Sequence, residues 1–313
     1  MEKTFFIPTA RGSEFFARLR PGSTPAALPV AGRRFIDYAI ESAVKFGVRE
    51  VTVLDWQLSQ AMAEEFAASQ NPVCAIKAAR GEGEAPGGIA DLESSGAFPP
   101  EKTDLALVWG LALPMHTEGR SALVPVPDEA MRDTPAGIYL RTGGKWMQVD
   151  PAAVATARGA SSWHAMNMEL LAGRGGYTLP GYSAEKGVHL GRNVVMERGV
   201  EARPPVLLCD GAWCARDAEL GGLVSVGNGS FVGEGTRLAR TVVCAGTFVG
   251  DGLVLEDKIV WGRRVIDAKT GSFDDIDDIG LVSEIANARH GFGGFLRRAW
   301  AFLSGKMGGA AGK

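Results

Sequence analysis

The chain is short of the residues that metal and redox chemistry need. Its four cysteines, Cys74, Cys209, Cys214 and Cys244, form no CxxC pair, which excludes a cysteine-rich zinc cluster. So few thiols in 313 residues do not make a disulfide scaffold either, and they point to a reducing, cytoplasmic setting. Histidine is equally scarce, at four. No run of about 18 apolar residues occurs, so no spanning helix is expected. The opening Met-Glu-Lys-Thr-Phe-Phe-Ile-Pro lacks the apolar h-region of a signal peptide. An excess of one charge is missing too: 33 basic side chains face 36 acidic ones, a net −3, which leaves no basic field for nucleic acid. Nucleophilic hydrolysis finds no Gly-x-Ser-x-Gly elbow, and Ser161-Ser162-Trp163-His164 reads as a helix start.

Glycine is what the chain has in surplus. Its 42 glycines make about 13% of the chain, against a usual share near 7%, and no strict Gly-x-y period makes them collagen. The length allows about two domains. The first half alternates. Thr4–Pro8, Glu50–Leu54, Asp104–Trp109, Ser121–Val126 and Ala136–Arg141 are apolar runs of strand length. Arg34–Phe46, Ser59–Ala68 and Ser162–Ala172 have helical spacing, with Gly47 and Gly173 as stops. Strands alternating with helices predict a parallel α/β sheet covered on both faces.

Near residue 180 the texture changes. Every sixth residue from Val188 is small and apolar: Val188, Val194, Val200, Val206, Ala212, Ala218, Val224. The phase then slips and resumes at Val226, Val232 and Leu238, and again at Val243, Val249 and Leu255. Between 181 and 271 stand 16 of the glycines. A six-residue period suits neither a helix nor one long strand. It fits short strands joined by sharp corners, three per coil, which predicts a left-handed parallel β-helix over 181–271. Glycine and Asn/Asp supply the positive φ of such corners. The Gly227–Gly235 run carries this phase, so corners account for it better than a phosphate loop.

Beyond Gly271 come an acidic stretch (Asp274, Asp275, Asp277, Asp278) and a tail. In the tail Phe292, Phe295, Leu296, Ala299, Trp300, Phe302 and Leu303 lie beside Arg289, Arg297, Arg298 and Lys306. Two outcomes stay open for this basic amphipathic segment: contact with an anionic membrane surface, or packing on its own domain or a second subunit.

An α/β domain followed by hexapeptide coils is the layout of sugar-nucleotide pyrophosphorylases, and the local text is similar. Arg18-Leu19-Arg20-Pro21, Leu28-Pro29-Val30-Ala31-Gly32-Arg33 and the helix after them resemble that family's opening. Glu84-Ala85-Pro86-Gly87-Gly88-Ile89-Ala90 resembles its Glu-x-Pro-Leu-Gly-Thr-Ala segment. Ala136-Gly137-Ile138-Tyr139 matches an Ala-Gly-Ile-Tyr strand, and Lys258–Gly262 resembles its late coils. The resemblance covers the chain to about residue 268. It implies a Rossmann-like nucleotidyltransferase domain over 1–180, the left-handed β-helix over 181–271, and a linker and tail over 272–313. It also implies a role in sugar-nucleotide or polysaccharide metabolism.

In that family a sugar 1-phosphate attacks the α-phosphate of a nucleoside triphosphate, and the protein's share is positioning and charge neutralisation. A Gly-rich loop and a cation cradle the phosphates, and carboxylates hold Mg²⁺. This chain departs from that pattern. Its segment 8–17 has one glycine, Gly12, and carries Phe15 and Phe16; Pro25 stands where a lysine is expected. Trp109-Gly110-Leu111 replaces the Asn-Gly-Asp turn, and no second aspartate precedes the coils. The resemblance therefore implies a catalytically impaired relative, with Mg²⁺ only if it is active, that binds a sugar nucleotide or nucleoside triphosphate. Arg11, Gly12, Arg18, Glu84 and Gly88 are the candidate contacts, each with a plain turn or solvated side chain as its alternative. Catalytic residues are unassigned. Partners by the same token are a second copy or an active paralogue paired through the β-helix. Three other possibilities stand beside this one. They are an active transferase using Asp55 and Asp104, an acyltransferase with His189 as base, and a non-enzymatic scaffold, membrane-peripheral through its tail.

Overall fold

The apolar runs of the first half lie side by side. Lys3–Ile7, Glu50–Asp55, Ala75–Arg80 and Leu105–Trp109 are parallel strands, with Lys3–Ile7 between Glu50–Asp55 and Leu105–Trp109. A computed structural model describes residues 3–7, 14–19, 24–56, 59–68, 74–81, 84–98, 104–115, 122–185 and 187–285. The chain divides into two units, Met1–Met166 with Gly173–Tyr177, and Asn167–Ala172 with Thr178–Lys313. In the first, the seven-stranded sheet has Ala75–Arg80 at one edge, then Glu50–Asp55, Lys3–Ile7, Leu105–Trp109, Gly137–Thr142, Lys145–Val149 and Leu123–Pro125. Its four parallel strands stand in the Rossmann-like order third, second, first, fourth.

The sheet is mixed rather than all parallel. Gly137–Thr142 runs antiparallel to Leu105–Trp109, and the last two strands continue antiparallel. The reason is local. Between Leu105–Trp109 and Gly137–Thr142 the only described helix is Asp128–Arg132, of five residues, too short to carry the chain back across a sheet face as a parallel crossover requires. Gly143 and Gly144, at φ 56° and 79°, then close a two-residue hairpin. The apolar run 105–114 is two strands, broken at Gly110 (φ 69°). Ala75–Arg80 escapes the sequence pattern because it is a largely exposed edge strand.

The Phe35–Lys45 helix forms where its spacing predicts. It buries Phe35, Ile36, Tyr38, Ala39, Ile40 and Ala43. Asp37 accepts from the Arg34 N–H at 3.1 Å, and Gly47 at φ 73° turns the chain out.

In the second unit three parallel sheets rise together. Val188 pairs with Val206 and Val206 with Val224; Val195 pairs with Trp213 and Trp213 with Phe231; Glu201 pairs with Glu219 and Glu219 with Arg237. Each step is 18 residues, so one turn is three strands of six-residue spacing. Two residues per strand point inward. One row is Val206, Ala212, Ala218 and Val224; the other is Leu208, Cys214, Leu220, Val226, Val232 and Leu238.

The jump from Val224 to Val226 is therefore a change of row, not a slip. The true slip comes later. Ser225 pairs with Val242, Phe231 with Phe248 and Arg237 with Val254, steps of 17, because the corner at Arg240 has one residue fewer. The first row meanwhile continues as buried hydroxyls. Ser230 Oγ donates to Cys244 O at 2.8 Å and accepts from Thr247 N at 3.2 Å. Thr236 Oγ1 donates to Gly250 O at 2.6 Å and accepts from Leu253 N at 3.1 Å. Thr241 Oγ1 donates to Leu255 O, and Thr247 Oγ1 accepts from Gly262 N, both at 3.0 Å.

The strands do not stop at 271. Arg264–Asp267 and Phe273–Asp275 continue the first sheet antiparallel, and Val282–Glu284 closes the edge of the second. The acidic stretch is thus partly strand: Asp275 accepts from Nε and Nη2 of the Arg264 guanidinium, at 2.7 and 2.9 Å.

Leu220 is fully buried and Val254 is exposed. Leu220→Ala should lower unfolding free energy by about 2–5 kcal/mol, Val254→Ala by under about 0.5, and Thr236→Val, which orphans Leu253 N, by about 1–3. Urea melts of the three variants check the ranking. Asp257 adds a pH test. Hydrogen bonds from Arg240 and then Lys269 hold its carboxyl well below the usual carboxylate range. A depressed folded-state value stabilises above the unfolded value, about 4, and that stability fades as pH falls. The gap between wild type and Asp257→Asn should be full at pH 7 and shrink below about pH 4.

Candidate functional site

Parallel strands aim their carboxyl ends at one edge, and here that edge carries Ile7, Asp55, Arg80 and Trp109. The chain order reverses between Lys3–Ile7 and Leu105–Trp109, and beyond the carboxyl ends at such a switch point open α/β sheets bind ligands. Gly110, at φ 69°, donates its N–H to Ile7 O at 2.8 Å and bends the chain across this edge.

Two carboxylates were the candidates to hold a metal here, and they do not meet. Asp55 is fully buried at the carboxyl end of its strand, and Thr24 Oγ1 donates to it. Thr24 Oγ1 also accepts from Ala26 N at 3.1 Å, capping the turn Pro25–Ala27, so Asp55 anchors this loop. Asp104 precedes the opposite end of the sheet and accepts from Gly143 N at 3.2 Å. Leu111 is buried at the head of its strand. Among the described residues no cluster of three His, Cys, Asp or Glu side chains could hold a metal ion. Asp55 and Asp104 therefore do not together form the two-carboxylate set that the family resemblance implies for Mg²⁺.

The loop at 84–89 is built around Asp91. Its Oδ2 accepts from Gly87 N at 2.7 Å and Gly88 N at 3.2 Å, capping the helix Ile89–Ser94. Thr134 ties the same loop down: its N–H donates to Gly87 O at 3.2 Å and its Oγ1 accepts from Ile89 N at 2.9 Å. Gly88 is glycine for a packing reason, because a Cβ there would strike the Met131 carbonyl and the Arg132 backbone. Glu84 is exposed. The Gly87 and Gly88 amides are thus already engaged by Asp91.

Arg11 and Gly12 lie outside the described residues. Arg18 is exposed on the helix Glu14–Leu19, in which Phe16 and Leu19 are buried. The Phe16 ring meets Trp163 edge-on at 5.9 Å, and Trp163 Nε1 donates to Pro29 O at 2.8 Å. A segment expected to be a phosphate loop is thus partly a core helix, because two adjacent phenylalanines give it something to bury. Pro25, at the expected lysine position, is buried as the first residue of its turn.

One group at this edge escaped the sequence argument. Arg158 is exposed, and its Nη2 donates to Ala136 O at 3.3 Å, next to Gly137, which pairs with Trp109. Its charge has no carboxylate within ion-pair distance among the described residues. Burial pushes the neighbouring Tyr139 hydroxyl well up, with the Arg158 charge opposing. No motif marks Arg158; only the fold brings it to the edge. Among the described residues, Trp109 Nε1 is buried there without a hydrogen-bond partner.

No protein-family model matches the chain, and no curated protein does. Among solved structures, the chain is similar to UDP-glucose pyrophosphorylase complexed with UDP-glucose, over 38% of this chain and 49% of that one. The identity is 17% and the TM-score 0.31. The match spans about half of that protein's length, and a likeness this slight carries no functional argument. No described helix is long and apolar enough to cross a membrane.

His189 stands on the outer side of its strand, opposite Ser183, between the inward Val188 and Leu190. Burial pushes the Cys209 and Cys214 thiols up to about 12, which leaves them protonated and unreactive.

Gly88→Ala should lower stability by about 2–3 kcal/mol, since the obstruction is backbone and cannot rotate away. A urea melt checks it, and a variant as stable as wild type would free Gly88 for a ligand role.

Proposed function

We propose that the chain binds a sugar nucleotide or nucleoside triphosphate at the carboxyl edge of its first sheet, without the two-carboxylate magnesium step. Leu111 carries this reading: a buried leucine stands where the resemblance places the metal aspartate, and leucine offers no donor oxygen. Support also comes from the strand-order switch at this edge, from the ordered run of family-like motifs, and from Arg158, whose exposed guanidinium has no carboxylate partner among the described residues and suits a phosphate. In this reading the coil is the left-handed hexapeptide β-helix of that lineage. Its turn of 18 residues and its small inward side chains favour it. The protein then serves sugar-nucleotide or polysaccharide metabolism as a binding member, alone or paired with an active paralogue.

Isothermal titration with UTP, GTP, ATP and their sugar conjugates, with and without Mg²⁺, tests it. Binding of a sugar nucleotide with the same affinity in both conditions is expected. Affinity that requires Mg²⁺ would reveal a working metal site and end this reading. Arg158→Ala should weaken binding by about tenfold, the loss of roughly 1.4 kcal/mol, with the melting temperature unchanged.

A further inference from the structure

The carboxyl edge of the first sheet holds a second group whose hydrogen-bonding capacity the fold leaves unspent. Gly137 pairs with Trp109 at this edge, and in the hairpin that follows Gln148 pairs with Tyr139. Paired residues and residues two apart share a face, so Gly137, Tyr139 and Gln148 lie on one side of the sheet. A Cβ on Gly137 would stand 3.2 Å from Gln148 Nε2 and 3.4 Å from Tyr139 Oη. The lack of a side chain at Gly137 is what lets both groups close over it. The Gln148 side chain is half-buried, and its amide makes no hydrogen bond among the described residues. Such an amide has given up part of its water without a protein group to replace it.

Two neighbours define what the amide faces. Tyr139 Oη donates to Pro135 O at 2.7 Å, so toward a ligand it accepts. Arg158 Nη2 donates to Ala136 O, one residue before Gly137, and its other N–H groups only donate. A donor-only cation, an amide that donates and accepts, and a hydroxyl left to accept are thus gathered around one glycine. Anionic oxygens suit the cation. The amide and the tyrosine need groups that give and take protons in hydrogen bonds, which phosphate oxygens do not and sugar hydroxyls do.

We propose that Gln148, with Tyr139 Oη beside it, takes the sugar hydroxyls of a sugar nucleotide whose diphosphate meets Arg158, so that this edge selects the sugar conjugate over the bare nucleotide. The inference rests on the nucleotide reading of the edge and narrows it to one ligand class. A site built to hydrogen-bond a hydroxyl discriminates strongly against the analogue that lacks it, because its own polar groups are then left without partners.

Isothermal titration of the full chain with UDP-glucose, GDP-mannose and ADP-glucose, each beside its own nucleoside diphosphate, tests the proposal. Wild type should bind one conjugate about tenfold more tightly than the matching diphosphate. Gln148→Ala should lose that preference and keep the diphosphate affinity, whereas Arg158→Ala should weaken both ligands alike. Gln148→Met keeps the bulk of the side chain, so it should melt like wild type and show the same selective loss. A wild type without preference for the conjugate, or Gln148 variants that lose nothing or lose both ligands equally, would overturn the proposal and leave the nucleotide reading standing. A wild type that binds none of the six ligands would end the nucleotide reading and this inference with it.

Discussion

Every strand of the coil must deliver two side chains into a narrow interior, and the six-residue spacing is what lets three strands do so in each turn. Interiors are close-packed, so the inward rows hold Val, Ala, Cys and Leu. Where hydroxyls enter the inner row, at Ser230, Thr236, Thr241 and Thr247, each bonds a backbone group that its corner leaves open. Corners obey the same constraint. Leu223, Arg240 and Asp257 take left-handed φ of 54°, 44° and 53° at successive levels. Such a φ in a residue with a Cβ costs about 1–2 kcal/mol. At two of the levels the side chains compensate, since Arg240 Nε donates to Asp257 Oδ1 at 2.6 Å.

In the first unit a different economy rules. The strand order reverses at the carboxyl edge, as it does where open α/β sheets bind ligands, yet several of its groups are turned inward. Asp55 is spent on Thr24, the Gly87 and Gly88 amides on Asp91, and Phe16 on Trp163. Each replaces a charge or an amide with a contact that holds the fold. Arg158 is exposed at this edge, which is why we propose a phosphate-bearing ligand there.

The coil was legible because a period of six repeats enough times to stand out from composition. Its two-row interior was not, since Val224 and Val226 look like a broken phase until the pairing of Leu208 with Val226 is seen. The first-half strands were legible as apolar runs. Their direction was not, because Gly137–Thr142 is apolar whichever way it runs, and only the Gly143-Gly144 pair signals the hairpin that reverses the chain. Glu84 and Gly88 were found through a resemblance that speaks of ligands, whereas the role the fold gives Gly88 is close passage of the Met131 and Arg132 backbone. Arg158 carries no sequence signal at all: it follows a short strand and precedes a helix, and only its hydrogen bond to Ala136 O, beside the Gly137 that pairs with Trp109, gives it a position.

The nucleotide site we propose works through protein cations and backbone rather than through a metal. A crystal structure grown with a sugar nucleotide and Mg²⁺ tests it most directly. The account predicts the diphosphate beside Arg158 at the carboxyl edge, with no metal between it and the protein. A magnesium ion bridging the phosphates to protein carboxylates, or a nucleotide seated on the coil instead, would contradict it.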